Sequence, residues 1–128
     1  MAKELVDDRL AKGLSSDYEF VFLKLPPPAA FLGYACYGRI PCTLASYDIY
    51  WIVVAPDIQG QGIGRMILAE AESLIRAAGG TRMYVDTSES PKYRATRAFY
   101  RQCGYACESI PADFYAPGDG KVIFVKRL

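Results

Sequence analysis

The sequence predicts an α+β fold, one mixed and mostly antiparallel twisted sheet flanked by helices. Three observations predict it. The first half carries three β-branched and aromatic runs broken by turn residues. The middle carries one long amphipathic stretch, and the second half alternates helix-like with strand-like segments. With 128 residues and 52% apolar side chains, the whole chain, 1–128, reads as a single domain with its own core.

Residues 3–14 read as a helix with Leu5, Leu10 and Leu14 along one face, and residues 15–17 as a turn. Residues 18–25 alternate as a strand, which the prolines at 26–28 terminate. Residues 30–39 form a second strand, with Gly33 and Gly38 as candidate bulges, and residues 47–54 a third, completing an antiparallel meander. The strongest helix spans 62–78. Ile63, Ile67, Ala71, Leu74, Ile75 and Ala78 make one apolar stripe, while Glu70, Glu72 and Arg76 fall on the solvated side. Gly79 and Gly80 end it. Residues 81–87 are a strand, parallel to the third because a helix separates them. Ser90 caps a second helix with Pro91 at its first position, which runs to Cys103 and stops at Gly104. Residues 105–110 and 121–126 are the last strands, joined by an aromatic loop.

Composition excludes several functions. Fifteen basic and fourteen acidic side chains leave a net charge of +1, so neither nucleic acid nor an anionic membrane is an expected partner. No apolar run approaches the ~20 residues of a bilayer span, and the polar start at Met1 is no signal peptide. A soluble, cytoplasmic protein is expected. Cys36, Cys42, Cys103 and Cys107 make no CxxC pair and the chain has no His. Neither a metal site nor a disulfide framework is expected, and the thiols read as small buried hydrophobes. Without His, any general acid or base must be Tyr, Asp, Glu, Lys, Cys or a water.

The chain is organised around residues 51–65. Ile52, Val53 and Val54 form a buried strand, Pro56 and Asp57 stop it, and Gly60, Gly62 and Gly64 lead into the helix. Unpaired N–H groups at the positive end of a helix make a phosphate site. The spacing GxGxG is neither a dinucleotide fingerprint nor a P-loop. A merely tight turn is the other explanation, yet three glycines in five residues favour close approach to the backbone.

Gln59-Gly60-Gln61-Gly62-Ile63-Gly64 resembles the [RQ]-x-x-G-x-[GA] motif of the GNAT superfamily of N-acetyltransferases. Residues 99–105 resemble its late helix, in which a Tyr is followed five residues later by an aromatic after Gly. The likeness covers about residues 18–128, and the tail from Asp113 is similar to that of a bacterial subgroup. It implies a GNAT fold with a splay between two parallel central strands, here without the family's first strand and helix. Such an edge invites pairing, so a homodimer is expected.

The resemblance also implies acetyl transfer from acetyl-CoA, as co-substrate, to a primary amine of a small molecule or protein, by direct attack in a ternary complex. Ile52, Val53 and Val54 would bind the pantetheine arm through their backbone, with the Val54 amide stabilising the oxyanion. Gln59, Gly60, Gln61, Gly62, Ile63, Gly64 and Arg65 would bind the diphosphate. Tyr100 matches the general acid; a core aromatic is its other reading. Asp48 matches the base of some members, although a hydrogen-bonded strand carboxylate fits equally, and Asp86 and Glu89 are rivals. Asp48, Tyr50 and Ile52 share a face only if no bulge intervenes. Asp113 and Tyr115 are candidate substrate contacts. A family Asn seven residues before the catalytic Tyr is Tyr93 here, with Thr96 or Arg97 as replacements. Two other readings stand beside this one, a CoA-binding module with reduced or no catalysis and a nucleotide-binding regulator.

Overall fold

The computed structural model describes residues 18–24 and 31–128. The helix expected at 3–14 and the proline turn at 26–28 lie outside the described residues. Strands β1 (Glu19–Lys24), β2 (Phe31–Arg39) and β3 (Ser46–Val54) form the meander. A 3₁₀ turn, Pro56–Ile58, leads to helix α1 (Ile63–Ala77) and strand β4 (Arg82–Ser88). A second 3₁₀ turn, Pro91–Tyr93, precedes helix α2 (Arg94–Gln102), followed by β5 (Ala106–Ser109) and β6 (Lys121–Arg127). The sheet order is β1-β2-β3-β4-β6-β5, and β3–β4 is its parallel pair. Among the described residues no helix is long and apolar enough to cross a membrane.

One sheet face carries the core. Ala35, Tyr37, Ile49, Met83, Val85, Val122 and Phe124 meet Ile67, Leu68, Ala71 and Ile75 of α1. Each such aliphatic side chain, once fully buried, contributes about 1.5–3 kcal/mol. The helical stripe differs from the expected one in two places. Leu74 is 41% exposed, and Glu72, expected on the solvated side, is only 5% exposed. Position 72 lies one turn from Leu68 and one from Ile75, so it belongs to the inward face. Its carboxylate is satisfied there by the Tyr105 hydroxyl at 2.7 Å and the Lys126 ammonium at 3.0 Å.

The cysteines also depart from expectation. Cys36 is fully buried, and burial pushes its thiol up to about 12. Cys42 and Cys107 are exposed and Cys103 is half-buried, because turns and a short edge strand hold them outside the core. At Gly33 the need is space. A Cβ there would stand 2.4 Å from the Val53 carbonyl oxygen and 2.7 Å from Ile67 Cδ1. Gly38 pairs regularly with Asp48 and marks no bulge.

The bulge lies opposite, on β3. Cys36 pairs with Trp51 but Tyr37 pairs with Ile49, so Tyr50 is the extra residue. A bulge bends its strand and raises its twist. Accordingly the parallel pairing of β3 with β4 covers Ser46–Ile49 against Arg82–Val85 and then stops, although both strands continue. The expected splay opens at this point.

Candidate active site

The splay frees one edge of β3. Ala55 N–H donates to the Leu32 carbonyl at 2.9 Å, so alternation aims the N–H groups of Val54 and Ile52 away from β2 and into the gap. Gln59 Nε2 donates to the Val54 carbonyl at 3.2 Å and ties the loop to the strand. Gly60 and Gly62 both have φ near +80°, the left-handed region, and a Cβ at either would touch nothing. Their requirement is conformational. Gly62 is the N-cap of α1, without side-chain capping, and its carbonyl takes the first helical bond from Met66 N–H. The N–H groups of Ile63, Gly64 and Arg65 therefore have no acceptor within the helix. At Gly64 a Cβ would reach the Phe99 ring at 3.4 Å, an ordinary van der Waals contact, so neither space nor backbone conformation demands glycine there.

This loop is one wall of a cleft of about 630 Å³. Ile52, Val54, Gln59, Gly60, Gly62, Ile63, Gly64 and Arg65 line it on one side, and Thr96, Phe99, Tyr100 and Cys103 on the other. Of the residues expected to bind the diphosphate and pantetheine, Gln61 and Val53 do not line it. Both are exposed, and Val53 pairs with Tyr34 on the sheet face opposite Ile52 and Val54. Arg65 Nη2 spans to the Gln102 carbonyl at 2.6 Å, bridging α1 to the end of α2.

Tyr100 lies at the floor of this cleft, 5% exposed. The end of α2 explains its position. Gly104 has φ +94°, Gly104 N–H bonds to Arg101 O, and Tyr105 N–H bonds to Tyr100 O at 3.0 Å. This is a Schellman motif, in which the residue after the left-handed glycine packs back on the helix. The Tyr105 ring meets the Tyr100 ring edge-on at 5.6 Å, and Phe99 and Phe124 hold its other sides. The motif read from the sequence as Tyr, then Gly and an aromatic, is thus a device that clamps Tyr100 by its carbonyl and its ring. Tyr105 is in turn anchored to Glu72, and burial with that hydrogen bond raises its own phenol. Burial, and secondarily Cys103, pushes Tyr100 up to about 12, so it keeps its proton at neutral pH.

A second cleft, of about 640 Å³, opens on the other side of Tyr100 between the splayed strands. Ile52, Thr96 and Tyr100 line both clefts. Trp51, Asp86, Thr87, Ser88, Tyr93, Tyr115 and Asp119 line the second. The bulge at Tyr50 sets Asp48 on the sheet face opposite Ile52, and Asp48 lines neither cleft. Burial, then the nearby Asp86 charge, raises Asp48 to about 6, against a smaller lowering by Lys121. Of its rivals, Asp86 lines the second cleft and pairs with Lys121 at 3.1 Å. Glu89 accepts from Gly120 N–H at 2.9 Å.

In the late loop, Tyr115 lines the cleft and Asp113 binds Gly118 N–H at 2.7 Å. Thr96 lines both clefts, whereas Arg97 donates to the carbonyls of Ser88 and Ser90. Ser90 makes no side-chain cap; its N–H donates to Ser88 Oγ, and a 3₁₀ turn begins the helix. Sequence reasoning missed Glu72, Ser88 and Asp119. Ser88 Oγ donates to Asp119 Oδ1 across 31 positions, a pairing that no local pattern signals.

Comparison with known proteins agrees with this geometry. Residues 20–107 match the family model of an acetyltransferase (GNAT) domain. A crystal structure from Desulfovibrio desulfuricans, described as a GNAT-family acetyltransferase, is 42% identical with TM-score 0.93, over 98% of this chain and 78% of that one. A GNAT acetyltransferase from Elizabethkingia anophelis with acetyl-CoA bound is 19% identical with TM-score 0.76, over 98% and 83% of the two chains. The ribosomal-protein-S18-alanine N-acetyltransferase from Escherichia coli is 20% identical with TM-score 0.70, over 92% and 74%. The last two share the fold. No match was found among curated proteins.

Proposed function

The chain belongs to the GNAT acetyltransferases, and from that premise we propose that it transfers an acetyl group from acetyl-CoA to a primary amine in a ternary complex. The observation that carries this reading is the meeting of two clefts at Ile52, Thr96 and Tyr100. One is walled by helix-end N–H groups suited to a diphosphate; the other is polar and aromatic, suited to an acceptor. The structural relatives with acetyl-CoA bound and with N-acetyltransferase activity support the same assignment.

The first cleft fits the co-substrate. The N–H groups of Ile63, Gly64 and Arg65 face the diphosphate, and Gly60 and Gly62 let it approach the backbone. The edge of β3 offers Ile52 and Val54 N–H groups to the pantetheine amides as a strand would. Acetyl-CoA supplies a thioester, an activated acyl group with a thiolate leaving group. The Val54 N–H stabilises negative charge on the carbonyl oxygen during attack by the amine nitrogen. Tyr100 gives its phenolic proton to the departing sulfur. The proton lost by the amine passes through water beside Asp86 to Asp48, whose value of about 6 leaves it ionised at neutral pH.

Thiol release with acetyl-CoA and a panel of amines tests the reading. Turnover is expected, and Tyr100→Phe should lower kcat by about 10²- to 10⁴-fold with the CoA dissociation constant nearly unchanged. Thermal stabilisation by CoA without thiol release from any amine would leave a CoA-binding module instead. Stabilisation by ATP but not CoA would leave a nucleotide-binding regulator.

A further inference from the structure

The second cleft is chemically one-sided. Its lining includes four aromatic side chains besides Tyr100 (Tyr50, Trp51, Tyr93 and Tyr115) and two carboxylates, Asp86 and Asp119, but no Lys or Arg. Two of the surrounding cations, Lys121 and Arg97, are already engaged, and Lys92 is exposed outside the lining. Lys121 pairs with Asp86 at 3.1 Å and lies 4.4 Å from the Phe114 ring centroid. Arg97 donates to the Ser88 and Ser90 carbonyls, both at 2.8 Å, and Lys92 sits 5.8 Å from the Tyr93 ring centroid. Asp119 accepts a 2.5 Å hydrogen bond from Ser88 Oγ and makes no ion pair among the described residues. It is the uncompensated charge of the cavity.

A second, independent feature lies in the lining of the same cleft. Thr87 lines the cleft at 6% exposure, and its hydroxyl has no hydrogen-bond partner. The buried indole N–H of Trp51, another lining residue, also lacks one. Buried polar groups are rarely left this way unless a ligand or water meets them.

The charge has a particular consequence for an acyltransferase. The reacting nitrogen must be neutral when it attacks. A fixed carboxylate among aromatic rings stabilises a cation, so it does nothing for that nitrogen in its nucleophilic form. It favours a different group on the same molecule, one that stays protonated while the attacking amine is neutral. Building on the acetyl-transfer reading above, we propose that the second cleft selects small acceptors carrying a second cationic centre, as in an aliphatic diamine. Asp119 and the rings of Tyr93 and Tyr115 hold that centre while the free amine lies at Tyr100. Part of this attraction is electrostatic and weakens with added salt.

Calorimetry tests it without requiring turnover. The protein, with and without saturating CoA, is titrated with 1,4-diaminobutane and with n-butylamine. The diamine should bind at least about tenfold more tightly, and kcat/KM from thiol release should follow the same order. Asp119→Asn keeps an acceptor for Ser88 while removing the charge, and Tyr93→Leu removes an exposed ring. Each should bring the diamine close to the monoamine, with far-UV circular dichroism checking the fold of both variants. Equal affinities for the two amines, or a preference surviving both substitutions, would overturn the proposal. Selective diamine binding without thiol release from any amine would retain the cation site and remove acetyl transfer. Thiol release as fast with monoamines as with diamines would do the reverse.

Discussion

Tyr100 and Asp48 show how burial shifts the two single residues to which the proposed reaction assigns its protons. Both are shifted upward chiefly by desolvation, Tyr100 to about 12 and Asp48 to about 6. The shift keeps the phenol protonated and ready to donate, and it moves the carboxylate close to neutrality, where a base works well. For Asp48 the raised value means that the native state binds its proton more tightly than the unfolded chain does. Its contribution to stability is therefore full below the ordinary carboxylate value, near 3.8, and is lost as pH rises through about 6. Asp48→Asn should stabilise the protein by on the order of 1 kcal/mol at pH 7, after allowance for partial exposure, and by almost nothing at pH 4. Urea unfolding at the two pH values reads this, and equal effects at both would contradict it. In the proposed reaction, kcat/KM of the unaltered protein should fall about tenfold per pH unit below 6. That limb should vanish in Asp48→Asn; if it persists, the base lies elsewhere, with Asp86 the next to substitute.

At the scale of elements, the site is made by how strands and helices end. The bulge at Tyr50 opens β3 from β4, the left-handed Gly62 starts α1, and the Schellman ending of α2 holds Tyr100. Two glycines allow contrasting predictions. Gly33→Ala forces a Cβ onto the Val53 carbonyl and should cost about 1–3 kcal/mol in urea unfolding. Gly62→Ala meets open space but strains φ +81°, so stability should drop by only about 1–2 kcal/mol. CoA affinity, measured by calorimetry, should drop as well, because the loop N–H groups lose their alignment. A Gly62→Ala protein with unaltered CoA affinity would remove this loop from the diphosphate site. The Schellman ending was visible in the sequence as Tyr-x-x-x-Gly-Tyr, but only as a pattern. Its meaning, a clamp on the side chain at the junction of the two clefts, needed the hydrogen bonds.

For the whole molecule, the mixed sheet with one parallel pair brings the ends of β3 and β4, both helices and the loop after β5 to one place. β1 is a terminal strand of the described sheet, pairing with β2 on one side. Such an edge can accept a second copy, and we expect a homodimer. Light scattering should give about twice 14.2 kDa, and a single monomeric species at working concentration would contradict this.

The fold class, strand order along the chain, parallel pair and glycine loop were legible because they rest on local signals: strand and helix periods, turn residues, and spacing within one loop. The family likeness at Gln59–Gly64 and at Tyr100–Tyr105 rests on signals of the same short range. The register was not legible, since one extra residue at Tyr50 reverses which side chains share a face. That slip separates Asp48 from Ile52, and no propensity announces it. Glu72 looked solvated because its partners, Tyr105 and Lys126, lie 33 and 54 positions away. The walls of the second cleft likewise come from β3, β4, the 3₁₀ turn before α2 and the late loop. Local order follows from side-chain period and backbone preference, which a chain carries in itself. Burial, charge pairing and cavity chemistry arise only when distant segments share one volume, and folding alone decides that.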